Sequence, residues 1–234
     1  MGDPSGVGPE IICKALAEMP AHERSAAAVI GNLRLLKRAD ALVKSNLEFV
    51  ESLVASNGAV PVFNVPTKEE EKVTDGKLTA AGGEAAYRYV ERAVQLSLAK
   101  RISVIVTAPL NKGAMHAAGH HFDGHTELLA TLTNTKQSFM LLASAKLAAV
   151  HVTTHVSLRG ATERGTVERI IATIRAGYEH YRSLGYDDPR IAVAGLNPHC
   201  GEGGIFGHEE IERINGAVVQ AKQQGMNVQG PISG

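Results

Sequence analysis

The chain has 234 residues, which is enough for one large α/β domain or two modest ones. Hydrophobic residues make up 44% and aromatic residues only 4%, so a sizeable core can form, but an aromatic stacking surface for nucleic acid is not indicated. Lys plus Arg and Asp plus Glu both number 24, so there is no basic excess for binding a polyanion. The two cysteines and the absence of a long apolar run favour a cytoplasmic protein without a membrane span.

Short β-branched segments alternate with longer amphipathic segments along the first half. Pro61 lacks an N–H donor, so the strand that contains it is expected at a sheet edge. Apolar side chains recur at helical spacing before residue 100, which predicts the longest helix of this half. The predicted strands are residues 26–30, 59–63 and 102–106, and the predicted helices are 11–18, 33–43 and 80–100.

The second half continues the alternation but also contains a predicted hairpin. The predicted antiparallel strands are residues 139–142 and 147–154, the next strand is 191–195, and the predicted helices are 166–184 and 208–224. Alternating strands and helices are typical of an α/β architecture with mostly parallel pairing. We expect a first α/β domain over residues 1–125 and a second over residues 126–234.

Two polar loops in the first half are candidates for ligand binding. The glycine-rich opening, residues 2–10, leads into a helix and therefore fits either a tight turn or an anion site at a helix N-terminus. The other loop follows the predicted strand 102–106 and carries Thr107, Asn111 and Lys112. Ligands of open α/β sheets bind beyond the carboxyl ends of strands, but a solvated polar loop is an equally good interpretation.

Four of the ten histidines lie within residues 116–125. His120 and His121 are interpreted as a solvated pair in a loop. His125 follows a glycine, and Thr126 is a residue type that can cap the next helix. His125 and Thr126 together could hydrogen-bond a carboxylate or a phosphate, so we predict a binding role for this pair.

His155 and His199 both come just after predicted strands. Two such histidines can converge on one cleft, where neutral imidazoles bind zinc and other divalent metals. A functional metal site generally needs a third protein ligand. His208 and Cys200 are candidates, although a helix start and a small packed side chain explain them equally well.

These segments, taken in order, resemble the 4-hydroxythreonine-4-phosphate dehydrogenase (PdxA) family. The matching stretches are MGDPSGVGPE, VTAPLNK, DGHTE, TTH and LNPHCGEGGIFGHEE, and they cover nearly the whole chain. The opening stretch looks closer to a branch linked to D-threonate or D-erythronate 4-phosphate. The resemblance implies two α/β/α domains like those of isocitrate and isopropylmalate dehydrogenases, with the active site in a cleft at a homodimer interface.

The resemblance also implies NAD-dependent oxidation of a secondary alcohol in a small phosphorylated substrate, followed by loss of carbon dioxide. A divalent metal (Zn, Mg or Co) would assist as a Lewis acid. Residue by residue, His155 and His199 match two of the family's three metal ligands, and His125 and Thr126 match its substrate-contacting pair. Neither catalytic groups nor NAD contacts are assigned to particular residues, and no nucleic-acid or membrane partner is expected.

The family's third metal histidine belongs to a His-Asp-Gln-Gly segment that does not occur in this chain, and its Lys, Asn and Arg substrate contacts also fall beyond the last residue. We therefore expect a fragment, truncated at both ends, of a longer enzyme. Two alternatives stay open. One is a metal-dependent hydrolase with Glu202 as the general base, and the other is a metal- or phosphate-binding fragment without turnover.

Overall fold

The computed structural model describes residues 1–233. By compactness they divide into two units, the first covering Met1–Gln137 and the second beginning at Ser138. Each unit mixes helices with strands, so the α/β class predicted from the sequence is confirmed. The domain boundary predicted between residues 125 and 126 stays a prediction.

The first unit contains six helices and three strands within these described residues. The helices are α1 (Gly8–Glu18), α2 (Ala21–Arg24), α3 (Leu33–Val43), α4 (Ala80–Leu98), α5 (Lys112–Ala117) and α6 (His125–Leu132), and the strands are β1 (Val29–Gly31), β2 (Phe49–Val50) and β3 (Val60–Asn64). A short 3-10 turn covers Glu70–Lys72. The predicted helix 33–43 is confirmed residue for residue, because the Asn32 side chain accepts the Leu35 N–H and fixes the first turn.

The three strands form a parallel sheet in the order β1-β3-β2, so the strand with Pro61 lies at the centre. The prediction of an edge strand was therefore wrong. Pairing with β2 ends at Pro61, whereas pairing with β1 starts at Val62, opposite Val29. Because Pro61 lies where one ladder gives way to the other, its missing N–H leaves both ladders intact.

Residues 102–106 form no strand, which corrects the prediction of a buried one. The side chains of Val104 and Val106 are 73% and 91% exposed. An apolar β-branched run becomes a strand only when a neighbouring strand pairs with it, and none of the described strands does so here. The following loop is nevertheless held, because Pro109 O accepts the Asp3 N–H at 3.0 Å.

Helices pack on both sides of the first unit's core. Cys13 of α1 and Leu36 of α3 pack with Val60 and Val62 of the central strand. A second cluster joins α4, α5 and α6 through the buried side chains Val90, Val94, Met115 and Leu128. This second cluster packs α6, which begins with His125, against the long helix α4.

The second unit contains two small sheets and three helices within the described residues. The strands are β4 (Leu141–Ala143), β5 (Ala148–Val150), β6 (Ile191–Ala194) and β7 (Val228–Ile232), and the helices are α7 (Leu158–Arg164), α8 (Val167–Ser183) and α9 (Asn215–Gln223). Strands β4 and β5 pair antiparallel, with Leu141 opposite Val150, which confirms the predicted hairpin. Strands β6 and β7 pair parallel, with Ile191 opposite Val228.

The core of the second unit lies between α8, α9 and the parallel pair. Ile170 and Ile174 of α8 pack with Ala217 and Val218 of α9 and with Val228. The single helix predicted over residues 208–224 is instead a π-helical turn, Glu210–Ile214, that continues into α9. Among residues 1–233, no helix combines the length and apolar character needed to cross a membrane.

Candidate functional site

The glycine-rich opening packs against the loop that follows residues 102–106. A Cβ added to Gly2 would stand 2.4 Å from Pro109 O, so the close approach of these two loops requires glycine. Asn111, predicted as a ligand contact, uses its side-chain oxygen to accept the Ala114 N–H at 3.0 Å and so caps α5. Thr107 and Lys112 are exposed, as a ligand contact or a solvated loop would both require.

Asp3 and Ser5 are buried where the opening meets the first turn of α4. Asp3 Oδ1 accepts the Ser5 N–H at 2.8 Å. Burial raises the pKa of Asp3, although the hydrogen bond from the Ser5 N–H partly opposes the shift. Ser5 Oγ is also buried and has no hydrogen-bond partner among residues 1–233. The opening is thus both a tight turn into α1 and the location of an unsatisfied polar group.

His125 is the first residue of α6, and its ring is partly buried. Its Nε2 atom is inaccessible and finds no hydrogen-bond partner in the described part of the chain. Burial lowers the pKa of His125, so the neutral imidazole is favoured in the folded protein. Thr126 is exposed in the first turn of α6. The predicted cap at Thr126 is wrong, because the helix begins one residue earlier with the extended Gly124 as N-cap.

His120 is not a solvated loop residue, and that interpretation is corrected. Its Nε2 lies 2.6 Å from Glu84 Oε2, and its ring stacks on Tyr87 with centroids 3.7 Å apart and planes 5° from parallel. Both partners belong to α4. His121 remains exposed, as predicted. The His120 contacts hold the loop that leads to His125 against α4.

His155 and His199 are both exposed, and each follows a segment that lines the same cavity of the second unit. The cavity has a volume of about 360 Å³, and Thr153 and Leu196 are among its lining residues. His155 has the left-handed φ of 55°, and His199 Nδ1 lies 3.5 Å from Glu202 Oε1. The strand ends that carry the two predicted metal ligands therefore come together at one cavity.

A complete metal centre is not formed by these side chains. Residues 1–233 contain no group of three or more His, Cys, Asp or Glu side chains placed to hold a metal ion. The candidates His208 and Cys200 therefore do not supply a third ligand. His155 and His199 are both exposed, and exposed imidazoles are chemically suitable ligands for a divalent cation.

Sequence reasoning missed Glu210, whose carboxylate lies under the loop that carries His199. Its side chain is only 2% exposed, and its Oε1 accepts the Asn197 N–H at 2.8 Å. The sequence contains a weak signal, the acidic pair Glu209-Glu210 near a predicted helix start. That signal does not reveal which of the two carboxylates is buried.

Comparison with known proteins agrees with this architecture. Residues 23–234 match the family described as "Pyridoxal phosphate biosynthetic protein PdxA". The D-threonate 4-phosphate dehydrogenase of Salmonella typhimurium is 43% identical over 237 residues, covering 99% of this chain and 72% of that protein. The 4-hydroxythreonine-4-phosphate dehydrogenase of Trichlorobacter lovleyi is 39% identical over 240 residues, covering 100% of this chain and 71% of that protein.

A solved structure extends the agreement to three dimensions. The crystal structure of the 4-hydroxythreonine-4-phosphate dehydrogenase from Klebsiella pneumoniae superposes with a TM-score of 0.91 at 40% sequence identity. The match covers 100% of this chain and 73% of that one. Because sequence and fold agree along the whole chain, the protein belongs to the PdxA family.

Proposed function

We propose that the protein is an NAD-dependent dehydrogenase that oxidises the 3-hydroxyl of a small 4-phosphorylated hydroxy acid, with loss of carbon dioxide from the resulting keto acid. The observation that carries this proposal is the 43% identity to a D-threonate 4-phosphate dehydrogenase over 99% of the chain. D-Threonate 4-phosphate is therefore the first substrate to test. 4-Hydroxythreonine 4-phosphate, in the name of a relative at 39% identity, shares the phosphate, the 3-hydroxyl and the carboxylate but differs at C2.

His125 and Thr126 would bind the substrate's phosphate. The Nε2 of His125 is buried and has no hydrogen-bond partner among the described residues. A phosphate oxygen would satisfy this atom once a rotation of the ring exposes it. The exposed Thr126 hydroxyl lies in the first turn of α6, where free N–H groups and the helix dipole also favour an anion. The neutral state that burial imposes on His125 keeps one ring nitrogen available as a donor.

His155 and His199 would hold a divalent cation by their imidazole nitrogens. When bound, the cation would act as a Lewis acid toward the substrate's oxygens. NAD would accept the hydride, and the protein would orient the NAD molecule. The cavity of about 360 Å³ is lined by the segments that precede both histidines. Its walls are mostly apolar and include Val150, Val193 and Leu196, which would keep water from the reacting atoms.

The wider organisation is part of the same proposal. We expect two α/β/α domains of the isocitrate dehydrogenase type, a homodimer with the active site at its interface, and a cytoplasmic location. Cys13 and Cys200 are both free thiols, which suits a reducing compartment.

The direct test follows NADH formation with D-threonate 4-phosphate, NAD and a divalent cation. In a form of the protein that includes the family's third metal histidine, we expect turnover that a chelator abolishes and that His155→Ala or His199→Ala removes. His22→Ala changes an exposed histidine of α2 and should leave turnover unchanged. Undiminished turnover in chelator-treated His155→Ala protein would exclude the metal role.

The hydrolase alternative is separated by the same assay. Glu202 lies beside His199, as a general base near a metal would require. Turnover of a phosphorylated substrate without nicotinamide would favour the hydrolase, whereas strict dependence on NAD would exclude it.

A further inference from the structure

We propose that Glu210 and Asn197 are positioning residues that fix the orientation of His199 through a chain of hydrogen bonds. This inference rests on the proposed role of His199 as a metal ligand. It concerns the loop from Leu196 to Gly207, which follows β6 and precedes the π-helical turn. Neither residue contacts the substrate or the metal in this proposal. Each acts on His199 through the backbone.

The first link is the buried carboxylate of Glu210. Glu210 begins the π-helical turn and points back under the loop, where its Oε1 accepts the Asn197 N–H at 2.8 Å. Its Oε2 is buried without a hydrogen-bond partner among residues 1–233. That oxygen lies 3.1 Å from the point where a Cβ at Gly201 would stand. Burying a carboxylate here costs desolvation free energy, and its Oε2 gains no hydrogen bond in return. Such a buried polar group calls for an explanation other than the filling of space.

The second link is the side chain of Asn197. Its Oδ1 accepts the His199 N–H at 2.8 Å, and its backbone O accepts the Cys200 N–H at 2.8 Å. Its Nδ2 donates to Phe206 O at 3.4 Å, which ties the two ends of the loop together. Asn197 therefore joins the buried carboxylate on one side to the backbone of His199 on the other.

The path of the loop explains why such a support is needed. Cys200, Gly201, Glu202 and Gly203 follow His199 with φ values of 52°, 66°, 43° and 69°. Non-glycine residues such as Cys200 and Glu202 adopt this left-handed region only when their surroundings enforce it. Without the hydrogen bonds that Asn197 Oδ1 and Glu210 Oε1 accept, the loop would relax and the His199 imidazole would change direction. Loss of such supporting groups typically weakens metal affinity by about 10- to 100-fold.

A purely structural role for Glu210 makes a different prediction. An acidic residue at a helix start stabilises the helix through its dipole, and removing it would lower only the stability of the protein. The positioning role instead requires that acceptor geometry, rather than charge, sets the affinity for a metal. Conservative substitutions that keep the acceptor oxygen therefore discriminate between the two roles.

The experiment compares Asn197→Ala with Asn197→Asp and Glu210→Ala with Glu210→Gln in the purified protein. Co²⁺ is titrated and its visible absorption is recorded, while amide NMR follows hydrogen exchange at His199. We expect Co²⁺ affinity to fall by about 10- to 100-fold, and His199 exchange to accelerate, in both alanine variants. Glu210→Gln keeps the acceptor for the Asn197 N–H and should bind Co²⁺ like the unmodified protein. Asn197→Asp keeps the acceptor for the His199 N–H and loses only the longer bond from Nδ2 to Phe206 O, so it should retain most of the Co²⁺ affinity. Glu212→Gln, an exposed change in the same turn, is the matched control.

Any of the following results would overturn the inference. The first is unmodified Co²⁺ affinity and His199 protection in Asn197→Ala, a variant that removes no buried side chain. The second is a loss of affinity in Glu210→Gln as large as in Glu210→Ala, because charge rather than position would then matter. Unmodified Co²⁺ binding by His199→Ala would refute the proposed metal site and this inference together. Loss in His199→Ala without loss in Asn197→Ala would refute the positioning role alone.

Discussion

For His125, the state of the ring nitrogen Nε2 separates a candidate binding role from a purely packing role. Its Nε2 is buried but unpaired within the described residues, and such an atom destabilises the protein unless a ligand satisfies it. The adjacent Gly124 is the extended N-cap of α6, so no side chain at the cap competes for the first N–H groups. The free protein thus carries an unpaired ring nitrogen beside a helix N-terminus, and a phosphate would complement it in the tautomer that protonates Nε2.

Replacing His125 by alanine should weaken substrate binding more than it slows the chemical step. Loss of a hydrogen bond to a charged group costs about 1.5–3 kcal/mol, so the KM for D-threonate 4-phosphate should rise roughly 10- to 150-fold. Steady-state kinetics with varied substrate would measure this, with the exposed His121→Ala as control. An unchanged KM in His125→Ala would show that the phosphate binds elsewhere.

The local sequence marks His125 as a candidate, but it does not report the contacts of His120 or Glu210. Gly124, His125 and Thr126 are consecutive, so the pattern that suggests a binding role can be recognised from three neighbouring residues. His120 was misjudged because its partner Glu84 lies 36 residues earlier, and no local pattern reports such a contact. Glu210 was missed for the same reason, since its partner Asn197 is 13 residues away.

At the scale of elements, amphipathic helices were predicted best because their signal is internal. Helix α8 was expected at residues 166–184 and forms at Val167–Ser183, with Thr166 capping it by accepting the Arg169 N–H. The strand predicted at residues 102–106 was wrong because a strand forms only where a neighbouring strand pairs with it. The local sequence also does not reveal that the strand with Pro61 is central, because this depends on where two other strands begin and end.

The contact between α4 and α5 depends on the absence of one side chain. A Cβ at Gly83 would stand 1.9 Å from the backbone O of Ala114, so Gly83→Ala should lower the free energy of unfolding by about 1–3 kcal/mol. Gly216 in α9 has open space around it, so Gly216→Ala should raise the free energy of unfolding by about 0.4–1 kcal/mol. Urea unfolding would measure both, and equal effects would contradict the packing argument.

The pairing of α4 with the loop before α6 should be sensitive to acid. Burial tends to raise the pKa of Glu84, but hydrogen bonds from His120 and Arg88 outweigh it and lower the pKa below 4.5. The folded state therefore binds this proton less tightly than the unfolded state does. The stabilisation is complete above pH 4.5 and is lost as the pH falls through the lowered folded pKa.

Glu84→Gln should accordingly remove part of the acid sensitivity of the protein. We expect the variant to be less stable than the unmodified protein at neutral pH, with the difference shrinking as the pH falls below 4.5. Thermal unfolding across this pH range would measure the effect, and Glu212→Gln serves as an exposed control. A difference that stays constant with pH would show that the carboxylate's charge plays no part.

At the scale of the whole molecule, composition limited the possible classes of function, and the order of the motifs identified the family. Balanced charge and few aromatic residues disfavoured nucleic-acid binding without indicating a reaction. No single loop specified a dehydrogenase, because tight turns, solvated loops and packed histidines produce the same local patterns. Only the ordered set of loops, spread over both units, was specific enough. The segments that precede the two histidines of the second unit line one cavity, and only folding brings those segments together.

A ligand that binds only the folded chain must stabilise it, so substrate choice can be read from unfolding alone. At a concentration about 100 times its Kd, a ligand adds about 2.7 kcal/mol to the free energy of unfolding. We expect D-threonate 4-phosphate to raise the melting temperature more than 4-hydroxythreonine 4-phosphate, and unphosphorylated D-threonate to have little effect. His125→Ala should cut the gain from both phosphorylated compounds to about 0.3–1.4 kcal/mol, because a roughly 10- to 150-fold weaker Kd leaves the ligand at about 0.7 to 10 times Kd. His121→Ala should preserve the full gain. Equal stabilisation by D-threonate and its 4-phosphate would contradict phosphate recognition, because the group that His125 is proposed to bind would then contribute nothing.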